Sequence, residues 1–340
     1  MEKKLGITVV ICCHNSELTI QNTLSFLEKQ KVSPNRNWEV LLVDNNSTDS
    51  TVIKAQELSR LSKNLKSRLR IVRESKPGIS NARLTALSEA KNEILSFVDD
   101  DNFVCEDWIE IVAKIMERHP EIAVCGSRNI EPMIKNKPNW FDKYKECYAI
   151  GKQAPKSGDV TKERGFVWGA GMSVRKMAWE DINNKGFKFI LTGRVGKTRS
   201  AGEDSELCFG LRLGGWRIWY ENNLTLIHSI DTTRINWQEL RKMFRGFGAG
   251  RAGHNPYFFA EQRTNFVQHW YCQVMLVMWE LLKHLDKIFV LITDPSRISD
   301  DILRIEHKIG QIMFYLSKRN HFDAYTILLR RNFAANRNIR

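Results

Sequence analysis

The stretch Ile94-Leu95-Ser96-Phe97-Val98-Asp99-Asp100-Asp101-Asn102 decides the fold. Four of its first five residues are apolar, with Phe and Val among them, and a bounded run of that kind reads as a buried strand. Three carboxylates follow in a row. Adjacent aspartates repel one another and cannot be buried unpaired, so they require a cation, either a metal ion or basic side chains. In an open α/β sheet, ligands bind outside the carboxyl ends of the strands, which is where these acids sit. Hard carboxylate oxygens suit Mg²⁺ or Mn²⁺, which bind through one or two protein carboxylates plus substrate phosphates. The competing reading is a solvated acidic turn that caps the following helix.

Outward from this strand the chain alternates. Ile7-Thr8-Val9-Val10-Ile11-Cys12-Cys13 is a β-branched apolar run, the pattern of a central parallel strand. His14-Asn15-Ser16 ends it, and Ile20, Leu24 and Leu27 continue at helical spacing. Trp38-Glu39-Val40-Leu41-Leu42-Val43 makes a second strand, closed by Asp44-Asn45-Asn46-Ser47-Thr48-Asp49, which opens a helix over 51–61. Leu69-Arg70-Ile71-Val72 is a third strand, Pro77-Gly78 a turn, and 81–90 a helix carrying Arg83. This alternation predicts a doubly wound, mostly parallel sheet over about the first hundred residues, with a further strand at 122–126.

Beyond it, residues 132–164 lose periodicity, and long irregular segments of this kind are functional or disordered. Residues 166–174 regain strand character, with Gly169 and Gly171 where a backbone passes close to something. Glu203 and Asp204 begin a helix ended by Gly214-Gly215, and 216–220 and 224–228 read as two short strands. The rest reads as helices over 237–247, 266–285, 300–316 and 321–331, with a loose tail over 330–340.

The net charge is +13, so the surface favours anionic partners: nucleic acid, acidic lipid or phosphorylated small molecules. After Asp231 there are 17 Lys and Arg against 9 Asp and Glu, so +8 of that charge lies in the last third. Seven cysteines lack framework or C-x-x-C spacing, which argues for reduced thiols. Residues 1–6 lack a signal peptide's apolar core, and no run of about twenty apolar residues exists. Residues 266–279 are uncharged but carry Gln268, His269 and Gln273 and read as a buried or membrane-lying helix. The expected location is cytoplasmic, at the inner face of the cell membrane if that helix lies on lipid.

Two strand ends thus present acids, Asp44 and Asp99-Asp100-Asp101. Asp44 can accept a hydrogen bond from an imide nitrogen such as that of uracil, or cap a helix. Arg83 can pair with phosphate, pair with the aspartates or face solvent. A helix start at Glu203-Asp204 favours their ionised forms, while a hydrophobic wall or nearby acids would raise a pKa towards a general base's range. His228, at a strand end, is a metal ligand or a structural histidine.

Taken together, these residues resemble glycosyltransferase family 2, the inverting nucleotide-sugar enzymes with the GT-A fold. Residues 9–15 resemble that family's opening strand and 43–49 its second-strand signature; Gly78 with Asn81-Ala82-Arg83 is similar to its third element. Phe97-Val98-Asp99-Asp100-Asp101 resembles its D-x-D motif, Gly169-Ala170-Gly171 its acceptor-side motif, and residues 202–207 its E-D motif. The six occur in order over about residues 6–230. The resemblance implies a GT-A catalytic domain over 1–231, with a nucleotide half over about 1–104 and an acceptor half over 105–231. A basic helical region spans 232–340.

It further implies that Cys13, Asn15, Asp44, Arg83, Asp99 and Asp100 bind the nucleotide-sugar. Asp101, helped by Asp99, would hold Mn²⁺ or Mg²⁺ on the diphosphate, and His228, from its strand-end position, is a further candidate ligand. Trp168, Gly169, Gly171 and Glu203 would form the acceptor and donor loop. Asp204 would be the general base. A single displacement inverts the anomeric carbon and needs no nucleophilic residue. The sequence departs from the family at His14 and Cys13, where Tyr and Thr are frequent, and at Asn45, where a second Asp is common. The Q-x-x-R-W motif of processive members is absent, which implies single-sugar transfer. The expected donor is a UDP-sugar and the acceptor a glycan or lipid-linked glycan. Two runner-up classes remain, a nucleotidyltransferase and a non-enzymatic nucleotide-sugar or nucleic-acid binding protein. A nucleotidyltransferase would need a Gly-rich phosphate loop near the first strand, and a nucleic-acid binder a recognisable recognition motif.

Overall fold

The computed structural model describes residues 4–191, 193–195, 198–199, 201–262, 268–294 and 296–333. In chain order its elements are β1 (Ile7–Cys13), α1 (Ile20–Glu28), β2 (Trp38–Asp44), α2 (Thr51–Leu61), β3 (Leu69–Arg73), α3 (Ile79–Glu89), β4 (Ile94–Phe97) and β5 (Asn102–Val104). There follow α4 (Trp108–Arg118), β6 (Ile122–Ile130), α5 (Phe141–Tyr144), β7 (Gly158–Asp159), β8 (Ser173–Arg175), α6 (Lys176–Asn184), β9 (Arg194–Val195), β10 (Thr198–Arg199) and α7 (Glu203–Leu213). The chain ends with β11 (Arg217–His228), α8 (Trp237–Glu261), α9 (Trp270–Leu282), α10 (Leu285–Thr293) and α11 (Asp300–Asn332).

Two compact units form. The first takes the chain up to Lys135 with Trp140–Asp181 and Trp216–Ile230; the second takes Asn136–Asn139, Ile182–Gly215 and everything from Asp231 on. Compactness therefore groups residues 182–215 with the C-terminal helices.

The first unit is built on a sheet of order β3-β2-β1-β4-β8-β6-β11-β5, with β7 beside β11. β3, β2, β1 and β4 run parallel, as the β-branched runs predict, and so do β6 and β11. β8 lies antiparallel between β4 and β6, and β5 antiparallel to β11. Apolar side chains of β1 and β2 are buried among Leu24, Leu27, Trp108 and Val112. Three local expectations change. Only Ser173–Arg175 of the run over 166–174 is strand, because Gly171 takes φ +79° in a turn closed by Met172 N donating to Gly169 O. The two strands expected at 216–220 and 224–228 are one, β11, whose register shifts between Glu221 and Thr225. The acid run is followed by the short strand β5, which pairs Asn102 with His228.

Among the described residues the second unit is helical apart from the antiparallel pair β9 and β10. α8 extends to Glu261 rather than 247, through Gly248, Gly250 and Gly253. Those glycines weaken an isolated helix but permit close packing: a Cβ on Gly248 would collide with the carbonyl oxygen of His307, and one on Gly310 with that of Arg245. α11 is one helix of 33 residues where two were expected, since nothing between 316 and 321 is Gly or Pro. Glu306 of α11 is buried and paired with Arg241 and Arg245 of α8. The helix expected from 266 begins at Trp270; residues 266 and 267, parts of the 192–201 loop, the tail after Phe333 and Met1 to Lys3 lie outside the described residues.

Candidate active site

Parallel pairing of β1 with β2 and β4 brings Cys13, Asp44 and the acids after Phe97 to one sheet edge, with Cys13 level with Asp44. Asp44 is buried, and its Oδ1 accepts from Ser47 N at 3.1 Å, so it shapes the loop it begins. Asn15, at φ +54°, accepts from Thr48 N at 2.8 Å and donates its own N–H to Ser47 Oγ at 3.0 Å. It is a strut between the first and second loops. Cys13 turns its side chain to the core, with Sγ donating to Val43 O at 3.6 Å and burial pushing the thiol pKa up. Only its backbone reaches the strand end. Asn45, which the sequence reading treated as a variant, ties in a third loop: Nδ2 donates to Glu74 O and Lys76 O, and Oδ1 accepts from Gly78 N. Arg83 on α3 is buried with its guanidinium 5.7 Å from the centre of the Phe97 ring. Burial pushes the nearby Cys12 thiol up to about 12, with Arg83 opposing and Asp99 reinforcing the rise.

The three aspartates separate by direction. Asp100 faces α1, where the Ser16 hydroxyl donates to its carboxylate and the Thr23 hydroxyl to its carbonyl at 2.7 Å. Burial, then the neighbouring Asp101 charge, raises its pKa to about 7. Asp101 instead places Oδ1 3.7 Å from His228 Nε2. Nδ1 of that histidine lies 2.9 Å from Tyr148 O, and a carbonyl can only accept, so Nδ1 carries a proton. In the neutral ring Nε2 then turns a lone pair towards a carboxylate, an arrangement that calls for a proton or a metal ion between them. Metal-ligating histidines characteristically donate their other N–H in this way. Buried Asn102, with its amide oriented to suit both partners, donates to Asp101 Oδ1 at 3.2 Å and accepts from Asp99 N at 3.1 Å.

Among the described residues, no group of three or more His, Cys, Asp or Glu side chains forms a metal cage. Mg²⁺ and Mn²⁺ that sit on a nucleotide need only one or two protein ligands, so Asp101 with His228 is a chemically suitable donor set.

In the glycine segment, Trp168 N donates to Gln153 Oε1 at 2.7 Å, and Arg164 lies over the Trp168 ring at 5.2 Å. Gly169 supplies the carbonyl of the turn. Gly171 donates to Phe97 O at 3.2 Å. A Cβ there would strike the Ser127 hydroxyl and lie 2.8 Å from Trp108, so packing and positive φ together demand glycine. Gln153, hidden in the irregular 132–164 segment, had no pattern to reveal it.

Glu203 and Asp204 belong to the second unit. Gly202, at φ +109°, leads into α7, and both acids occupy its first turn. Asp204 Oδ1 accepts from Ser205 N at 2.8 Å.

A mostly parallel sheet with acids gathered at its carboxyl edge is the arrangement at which open α/β folds take ligands. Residues 8–182, just over half of the chain, match the family described as Glycosyl transferase family 2, and the chain belongs to that family. It is 27% identical over 162 residues to an uncharacterized glycosyltransferase of Haemophilus influenzae, covering 48% of this chain and 45% of that protein. It is 30% identical over 111 residues to the UDP-Glc:alpha-D-GlcNAc-diphosphoundecaprenol beta-1,3-glucosyltransferase of Escherichia coli, covering 32% and 40%. The chain thus spans under half the length of these relatives. Among solved structures, the fold matches a mannosyltransferase from Pyrobaculum calidifontis in complex with GDP-Man and Mn²⁺ (TM-score 0.55, 14% identity, 99% and 88% coverage). It also matches S. aureus TarS 1–349 in complex with UDP-GlcNAc (TM-score 0.51, 15% identity, 93% and 92% coverage). At such identities the likeness concerns the fold, the mostly parallel sheet with a C-terminal helical region.

Proposed function

We propose that the chain is an inverting glycosyltransferase that moves a single sugar from a UDP-sugar to a hydroxyl of a glycan or lipid-linked glycan in cell-surface polysaccharide synthesis. The observation that supports this most is the Asp101–His228 pair at the sheet edge, 3.7 Å apart in a chain of this family, which we read as ligands for a divalent cation. The Escherichia coli relative's name supports a UDP-sugar and a lipid diphosphate acceptor, and the Mn²⁺ of the mannosyltransferase neighbour supports a divalent ion. Residues 1–231 form the catalytic domain in this reading and 232–340 a basic helical region.

In this mechanism Asp44 and the loop braced by Asn15 receive the base, and Arg83 supplies positive charge towards the phosphates. Asp101 and His228, with Asp99, would hold Mn²⁺ or Mg²⁺, whose charge would stabilise the departing diphosphate. The Trp168–Gly171 segment and Glu203 orient the sugars. Asp204 takes the proton from the acceptor hydroxyl as its oxygen attacks the anomeric carbon; the glycosidic bond to the diphosphate breaks in the same step, and the carbon inverts. Asp100, committed to Ser16, supports the loop. The test is metal-dependent release of UDP from UDP-sugars in the presence of acceptor, with Asp101→Ala and Asp204→Ala as controls. Donor binding without turnover across a panel of acceptors sinks the enzymatic reading.

Peripheral membrane contact belongs to the same proposal. No helix of the described residues is long and apolar enough to cross a membrane. α9 nevertheless turns Tyr271, Met275, Met278 and Leu282 outward at helical spacing beside Trp279, which is 61% exposed, and α10 does the same with Leu285, Phe289 and Ile292. Lys283 lies over the Trp279 ring at 5.5 Å. A helical cap would bury Trp270, Trp279 and Leu282; Trp270 does pack on the helical core, whereas Trp279 and Leu282 are exposed. Such a stripe suits a helix lying in the lipid interface at the inner face of the membrane. Co-sedimentation with anionic vesicles should weaken in Trp279→Ser with Phe289→Ser; unchanged binding refutes this role for the stripe.

A further inference from the structure

Glu206 and His254 are polar side chains that the proposed chemistry does not use, and both meet the segment around Asp204. Glu206 sits on α7 within the second unit, wholly buried. Its Oε1 accepts from Ile190 N at 2.9 Å and its Oε2 from Leu191 N at 3.1 Å. Tyr257 of α8 lies 2.8 Å from Oε1, Tyr325 of α11 lies 3.0 Å from Tyr257, and the Tyr325 hydroxyl reaches Lys188 O at 2.7 Å. Three oxygen-to-oxygen contacts in that chain need three protons, and the two phenols supply two. The third belongs on Glu206, whose carboxyl burial pushes up to about 8. A protonated Glu206 donating to Tyr257, Tyr257 to Tyr325 and Tyr325 to the Lys188 carbonyl satisfies every member, as a buried network requires. The network holds residues 188–191, on the near side of the 192–200 segment.

The far side is held by α8. His254 Nε2 lies 2.9 Å from Gly202 O, and since the carbonyl only accepts, Nε2 carries the proton. Burial lowers this histidine's pKa to about 4, so the ring is a neutral donor. The same carbonyl accepts from Glu206 N at 2.7 Å, the first bond of α7. Close approach is built in by glycine on both partners: a Cβ on Gly250 would lie 2.5 Å from Ala201 O, and one on Gly202 would lie 3.0 Å from His254 Nε2. Asp204 follows two residues later, close enough for its charge to act on His254.

We propose that His254 and Glu206 are positioning residues, a clamp from α8, α7 and α11 that fixes both flanks of residues 192–200 and thereby the start of α7 that carries Asp204. The inference rests on the reading of Asp204 as general base. It makes the C-terminal helices part of the machinery that sets the geometry of proton removal, besides any part they take at a membrane.

The test compares His254→Ala, His254→Gln and Tyr325→Phe in the full chain, using steady-state transfer with a donor that supports wild-type turnover and hydrogen exchange over residues 186–206. A misplaced base loses rate on the order of 10²-fold for displacements near 1 Å. His254→Ala should therefore lower kcat by about 10- to 100-fold with donor KM within about twofold, and speed exchange at 201–206. His254→Gln, which can still donate to Gly202 O, should recover most of the rate. Tyr325→Phe should speed exchange at 188–191 and serves if His254→Ala does not fold. Wild-type kcat in both His254→Ala and Tyr325→Phe overturns the clamp, as does a loss that glutamine fails to restore with exchange unchanged. Retained transfer in Asp204→Asn overturns the base assignment instead, and the clamp then stands or falls on the exchange data for His254→Ala.

Discussion

In the first unit, parallel strands bury β-branched side chains and crowd their polar groups at the carboxyl ends, where Asp44, Asp99, Asp101 and His228 gather. The second unit does the reverse. Its helices cross through glycines at Gly248 and Gly310, and its polar groups (Glu206, Tyr257, Tyr325 and Glu306) lie inside the packing. A sheet edge collects polar groups at the strand ends, where open α/β folds take ligands. A helical core must satisfy each buried polar group internally, so such groups hold backbone in place. On the function and clamp proposed above, the first unit binds and the second positions.

The sharpest way to break that contrast is Asp204→Asn. It is expected to lower transfer by about 10³-fold, within the range of a general base, with donor affinity by calorimetry unchanged. An equal loss of donor affinity would erase the division of labour. Next come the glycines. Gly171→Ala and Gly248→Ala should each cost roughly 3 kcal/mol through overpacking, with added backbone strain at Gly171. Hydrogen exchange should show the loosening in β4 and β11 for the first and in α8 and α11 for the second. His228→Ala should weaken apparent Mn²⁺ affinity by about 10- to 100-fold, read by titrating Mn²⁺ against turnover. Metal response identical to wild type would make His228 a structural histidine.

The smallest effect concerns pH. Glu206 is raised from 4.5 to about 8 in the folded chain, so the native state binds more protons than the unfolded one between those values. Its contribution is complete below about pH 4.5 and is lost as pH rises through 8. Glu206→Gln should flatten that part of the thermal-stability profile, while setting an amide N–H against a backbone N–H at a cost of about 1–3 kcal/mol. A profile with the same slope in both proteins would show that Glu206 is not the group responsible.

Legibility in the sequence followed the same divide. The alternation of β1, β2 and β4 with helices was readable because side chains on a doubly covered strand have one environment, mostly apolar, along the run. The acids after Phe97 were readable for the converse reason, a sudden change of character. The resemblance to glycosyltransferase family 2 rested on these features, and the family match over residues 8–182 agrees with it. Where neighbours distant in sequence decide the structure, the reading failed. The glycines of α8 looked like a helix end because propensity is local, whereas the close backbone of α11 makes them necessary. The resemblance singled out Asp101 and Asp99 as the metal-side acids, but the partners of each aspartate, Ser16 and Thr23 beside Asp100 and His228 beside Asp101, come from residues distant in sequence.

By itself, then, the sequence determined the strand-helix order from β1 to β4, the location of acids at strand ends and the family, because each follows from residue type and short-range periodicity. Only the tertiary structure decided which aspartate meets a histidine, that Cys13 faces the core, that Asn15 braces a loop, and that Glu206 and His254 hold the flanks of residues 192–200. Each of those depends on a hydrogen bond or contact between residues far apart in the chain, and the geometry of such a bond exists only once the elements are packed.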